Sequence, residues 1–165
     1  MKTFQKFQSA YNESTFGLIA SSISTMHEKL AQNIDTYRPE SLKLQGIKYF
    51  RIADKISGFS KLQPNWDSYN ADKISINALA SALITLNVLN NQGLLSGDLR
   101  VSVFPMRDGG IQFEFDGENI CAELEINQDE ELTFILFDED GNIVEKKKLF
   151  ELSDLSTFLQ EAQYA

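Results

Sequence analysis

The stretch IQFEFDGENICAELEI, residues 111–126, decides the fold class. Ile111, Phe113 and Phe115 alternate with Gln112 and Glu114. Further on, Ile120, Ala122, Leu124 and Ile126 alternate with Cys121, Glu123 and Glu125. A period of two sends successive side chains to opposite faces, so each run reads as a strand with one apolar and one polar side. Asp116-Gly117 lies between them and suits a two-residue hairpin turn, because it readily supplies positive φ. The spacing predicts an antiparallel hairpin with an oily face and an acidic face.

The same reading extends in both directions. Leu132 to Phe137 is apolar at nearly every position, which predicts a strand covered on both sides. Asp138-Glu139-Asp140-Gly141-Asn142 marks a turn. Ile143 to Phe150 forms the last strand, and Glu145 with Lys146, Lys147 and Lys148 predicts an exposed edge protected from pairing. Upstream, Val101 to Phe104 is a first strand stopped by Pro105, and Arg107-Asp108-Gly109-Gly110 turns the chain into Ile111.

Helical periodicity occupies the rest. Phe4, Phe7 and Tyr11 begin a pattern of threes and fours that runs through Ile19, Ile23, Met26, Leu30 and Ile34 to about residue 35. A helix is predicted from about Gly46 to Ser57, closed near Gly58. Ile76 to Asn91, capped by Ser75 and stopped by Gly93, carries Leu79, Leu83 and Leu86 on one stripe. Leu155, Phe158 and Leu159 form the stripe of a C-terminal helix with Ser153 as its cap and Asp154 in its first turn. The expected fold is α+β: a five-stranded antiparallel meander sheet packed on helices, with an N-terminal helical segment and a C-terminal helix. Residues 1–40 read as the N-terminal segment and 41–165 as the α+β domain.

The formal net charge is −9, which argues against generic binding to nucleic acid, where phosphate attraction dominates. The charge is unevenly spread. From Val101 onward there are 16 Asp and Glu against 4 Lys and Arg. Cys121 is the only cysteine, so neither an internal disulfide nor a cysteine-based zinc cage can form. No apolar run approaches a membrane span or the h-region of a signal peptide, and the expectation is a cytoplasmic protein.

The chain has no nucleophile-elbow, HExxH or P-loop pattern, and its single histidine, His27, sits on the N-terminal helical pattern as a packing or surface residue. Glu114, Glu123 and Glu125 share the outer face of the hairpin. They could meet a basic patch on another protein, or act with Asp108 as carboxylate ligands of a metal-dependent or small-ligand enzyme. The turn at 138–141 has part of a calcium-loop composition without its ligand spacing or closing glutamate. Trp66, Asp67 and Tyr69 form the densest aromatic–acid cluster. Trp66 either plugs or anchors its loop through its indole N–H, or serves with Tyr69 as a recognition hot spot. Phe4, Phe7 and Tyr11 either pack on the domain or dock on a partner or a second copy.

NWDSYNA (65–71), the helix after it, FPMRDGGIQFEF (104–115) and AELEI (122–126) resemble a scattered group of small bacterial and phage-borne proteins. Their pattern is Trp-Asp-x-Tyr-Gly-Ala, a helix, Pro-x-x-Asp-Gly-Gly-Ile and a Leu-Glu-Ile strand. Asn70 stands where that pattern has Gly, and Asn tolerates the left-handed conformation. No activity carries over. The resemblance to accessory genes of mobile elements implies an antitoxin, immunity or anti-defence role. The expectation is therefore a non-catalytic, cofactor-free module that binds another protein, does not span a membrane and has a possible homo-oligomeric state. A carboxylate-based enzyme and a phage structural or assembly protein are the alternatives.

Overall fold

A computed structural model describes residues 40–95, 97–152, 154, 155 and 157–159. The chain divides into a unit Met1–Pro39 and a unit Glu40–Ala165, and every described residue belongs to the second. The expected N-terminal helix, with Phe4, Phe7, Tyr11 and His27, lies outside the described residues, as does the expected cap Ser153.

Among the described residues two helices come first, α1 (Glu40–Phe59) and α2 (Ile76–Asn91). Five strands follow: β1 (Arg100–Pro105), β2 (Ile111–Gly117), β3 (Ile120–Ile126), β4 (Leu132–Phe137) and β5 (Ile143–Leu149). All neighbours pair antiparallel in the order β1-β2-β3-β4-β5, the meander expected of an α+β chain. Helical residues 154, 155 and 157–159 lie beyond β5.

Alternation does the sorting. Ile111, Phe113, Phe115, Ile120, Ala122, Leu124, Ile126, Leu132 and Phe134 are buried on the inner face. There α2 contacts β2 and β3. The C-terminal turns reach the same face, with Phe158 stacked on Phe134 at a centroid distance of 5.8 Å and Leu155 and Leu159 fully buried. Helix α1 runs antiparallel to α2: Gln45 donates to the Asn90 carbonyl at 2.7 Å, and one turn on Tyr49 Oη donates to Asn87 Oδ1 at 2.8 Å. Its buried stripe is Ile52, Ala53, Ile56 and Phe59.

The ends of α2 follow the expected chemistry. Ser75 accepts a hydrogen bond from Asn77 N–H, and Gly93 takes φ 74°. Leu94 N–H reaches Leu89 O and Gly93 N–H reaches Asn90 O, the paired bonds of a Schellman stop. Helix α1 departs from expectation. It begins earlier than Gly46 and runs through Gly58, neither of which has any atom within 4 Å of an added Cβ. It ends instead in successive three-residue turns over Ser60, Lys61 and Leu62.

The hairpin also differs in its turn. Gly117 pairs with Ile120, so Asp116 and Gly117 remain in β2 and the two-residue loop is Glu118-Asn119. Gly117 serves close packing: a Cβ there would lie 3.0 Å from Ile120 Cγ2 and 3.4 Å from Leu99 Cδ1. In β4, Leu132 and Phe134 are buried inward and Ile135 outward, as the run of apolar residues predicted. Six of the seven residues of β5 are exposed.

Candidate functional site

Two groups of expected site residues come together, in different places. The first is the outer face of β2 and β3. Pairing sets Glu114 directly opposite Glu123, and Glu125 lies opposite Gln112 on one side and Thr133 on the other. Glu123 faces the buried Ile135 of β4. Glu114, Glu123 and the buried Ile135 thus lie in one row across the three strands, with Glu125 two residues further along β3. Partial burial pushes the Glu123 carboxyl up, and the neighbouring Glu114 and Glu125 push it further; Lys146 opposes them. Lys146 Nζ is 3.7 Å from Glu125 Oε2. Cys121 sits exposed on the same face, and burial of its thiol together with Asp116, Glu123 and Glu114 raises its pKa, holding it protonated. Among the described residues no group of three or more His, Cys, Asp or Glu side chains is placed to hold a metal ion.

The second group joins the loop 65–72 to the β1–β2 turn. Asp67 Oδ1 accepts from Tyr69 N–H at 2.7 Å and from Ala71 N–H at 3.1 Å. Its other oxygen accepts from Arg107 Nε at 2.9 Å. Arg107 also donates to the Tyr69 carbonyl, and its guanidinium lies 5.8 Å from the Tyr69 ring centre. Desolvation is the largest single influence on the Asp67 carboxyl and pushes it up. The two backbone N–H groups and Arg107 outweigh that and hold it below its ordinary value. Asp72 N–H bonds to Arg107 O, and Ser75 N–H bonds to Gly109 O. The stretches 65–71 and 104–115 thus form one clasp, knit by side chain and backbone alike.

This clasp settles what Trp66 does locally. Its indole N–H donates to Asp72 O at 3.1 Å while the ring stays half-exposed, so it anchors the loop rather than filling the core. Tyr69 is 72% exposed. Asp108, expected as a possible ligand, accepts from Gly110 N–H at 3.0 Å and shapes its own turn. Arg107 is the residue that sequence reasoning placed only in a turn. Its partner lies 40 positions away, and no local signal connects them.

The loop around Asp67 shares its construction with two others. In each, the side-chain oxygen of residue i accepts from the N–H groups of i+2 and i+4. The three are Asp67, Asn127 and Asp138. Residue i+3 is left-handed in all three: Asn70 at φ 65°, Glu130 at 66° and Gly141 at 80°. The Asp138 carboxylate, part of the supposed calcium-like composition, is thereby engaged by its own loop, and the hydrogen bond from the Asn142 side chain leads the causes that lower its pKa.

No family model, curated protein or solved structure matches this chain. No helix among the described residues is long and apolar enough to cross a membrane.

Proposed function

We propose that this chain is a non-catalytic protein-binding module whose outer sheet face receives a basic surface of another protein. The carrying observation is the direct cross-strand pairing of Glu114 with Glu123, with Glu125 two residues along β3 and Ile135 on the other side of Glu123. Like charges placed opposite one another destabilise a sheet by roughly 0.2–1 kcal/mol. Among the described residues only Lys146 opposes that repulsion at Glu123. A lysine or arginine from a partner, set between the two carboxylates, would relieve it and add charge-assisted hydrogen bonds. A neutralising role, as antitoxin, immunity or anti-defence protein, is the biological setting that the resemblance of the two motif stretches supports. A cytoplasmic location fits that setting and the lone cysteine.

The test is affinity capture of the full chain from its native host, run beside a Glu114→Lys/Glu123→Lys variant that keeps its fold by circular dichroism. A stoichiometric protein held by the natural chain and released by the variant is the expected result. Absence of any stoichiometric protein, or equal capture by both, refutes the reading. A rise in melting temperature with a divalent metal or a nucleotide would favour the enzyme alternative instead, because a ligand bound only by the native state stabilises it.

A further inference from the structure

The sheet has two edges. At one, β1 is met by α1, and Lys55 Nζ stands 4.2 Å from the Phe104 ring centre. At the other, β5 has no pairing strand on its outer side among the described residues. Ile143 and Val144 are 59% and 62% exposed there, and Phe150 just beyond is 82% exposed. An open edge carries unpaired backbone N–H and C=O groups, and lysines along it normally block pairing. Here the lysines are drawn back over the sheet. Lys146 reaches Glu125, two strands in; Lys148 Nζ lies 2.5 Å from Glu131; and Lys147 Nζ lies 4.0 Å from the Phe158 ring centre. The ammonium groups lie over the faces, away from the edge they would guard.

We propose that β5 is a strand-addition site for an extended acidic segment of another protein. Charge chooses the occupant. Three of the four basic residues from Val101 onward are Lys146, Lys147 and Lys148. An added strand sets its side chains about 5 Å from those of β5. That is inside the screening length of roughly 8 Å at physiological salt, and β5 itself carries these three lysines against Glu145 alone, with Lys146 and Lys148 about half exposed beside their carboxylates. The fitting segment carries consecutive acidic residues opposite the lysines and apolar ones opposite Val144 and Ile143. A second copy adding its own β5 about a twofold axis would set lysine against lysine, and a basic segment would do the same. Backbone hydrogen bonds supply affinity in this mode and the flanking side chains supply selectivity. The site meets the outer-face glutamates only through Lys146 and stands whether or not they carry a partner.

The experiment titrates the full chain with three synthetic peptides. One is an acidic run followed by alternating apolar residues, the second has lysines for the acids, and the third is the acidic peptide with a central proline. Amide shifts and hydrogen exchange are read residue by residue. The expected result is that only the first peptide binds, that amides of residues 143–149 gain protection, and that Lys146→Glu/Lys147→Glu/Lys148→Glu weakens it about tenfold while admitting the lysine peptide. If the triple variant does not fold, Lys147→Glu alone should weaken binding about threefold. Absence of binding, equal binding of the proline peptide, protection confined to another surface, or indifference to the charge reversals overturns the proposal. Glu114→Lys/Glu123→Lys should not weaken peptide binding, which separates this result from that of the outer-face test.

Discussion

Replacing Gly110 with alanine tests the clasp between the two motif stretches. A Cβ at this position would lie 2.5 Å from Ile126 O, 3.0 Å from Asp108 Oδ1 and 3.1 Å from Asn127 Cα. Ordinary C···O contacts begin near 3.3 Å, so the first approach is about 0.8 Å too close. Two of the three obstructing atoms are backbone, at the end of β3 and the loop beyond, and neither can rotate aside. Overpacking usually costs about 1–3 kcal/mol, and rigid backbone on one side places this case at the upper end, near 3 kcal/mol. In a domain of this size that lowers Tm by about 10 °C. Gly110 also accepts from Met106 N–H at 2.9 Å and donates to Asp108, so moving it disturbs the turn that holds Arg107 against Asp67. Gly46→Ala is the matched control: nothing lies within 4 Å of its Cβ and it sits inside α1, so it should stabilise by roughly 0.5–1 kcal/mol. Thermal and urea unfolding followed by circular dichroism would measure both. A Gly110→Ala protein melting within about 2 °C of the natural chain would refute the close-approach argument.

Glu123→Gln should raise stability at neutral pH by about 0.5 kcal/mol or less, given the solvent exposure of the site. Because the folded pKa is raised, the penalty is absent below the unfolded value and complete above the folded one, so the gain should vanish below about pH 4. A gain that persists in acid would contradict the assignment. Asp67, Glu131 and Asp138 have the opposite sign: their folded pKa values are lowered, so their contribution is present above the ordinary carboxylate range and is lost as pH falls through the folded values. Asp67→Asn keeps an oxygen that accepts from the two backbone N–H groups but loses the Arg107 ion pair; it should flatten the acid limb of a Tm–pH curve and lower Tm less than Asp67→Ala does. Gly141→Ala should cost about 1 kcal/mol through φ alone, since nothing crowds its Cβ, whereas Asn70→Gly should be close to neutral or mildly stabilising. Urea midpoints would check both, and equal losses at the two positions would rule out the shared loop construction.

Much of the sheet was legible because alternation is a local property. Ile111, Phe113 and Phe115 against Gln112 and Glu114 dictate both a strand and its inward side, and the same rule orders β3 without any knowledge of its neighbours. The acidic outer face follows from the same period, and Ser75 and Gly93 bound α2 by short-range chemistry. The hairpin turn was misplaced because Asp-Gly is also a composition that permits close packing. What decides between the two uses is Leu99 and Ile120 pressing on Gly117. The start of α1 was missed for a similar reason, since Gly46 weakens a helix locally while Gln45 is held by Asn90 in α2.

The amino-acid order alone settles the α+β class, the meander, the inward and outward sides of the hairpin and the glutamates that share one face, because each depends on residues within a turn or two of one another. Only the folded chain brings Arg107 to Asp67, sets Glu114 opposite Glu123 in register, and draws Lys146 and Lys148 onto carboxylates of other segments. Those juxtapositions join positions up to 40 apart. They exist because burying the inner face fixes the strand register, and the register then dictates which charges meet.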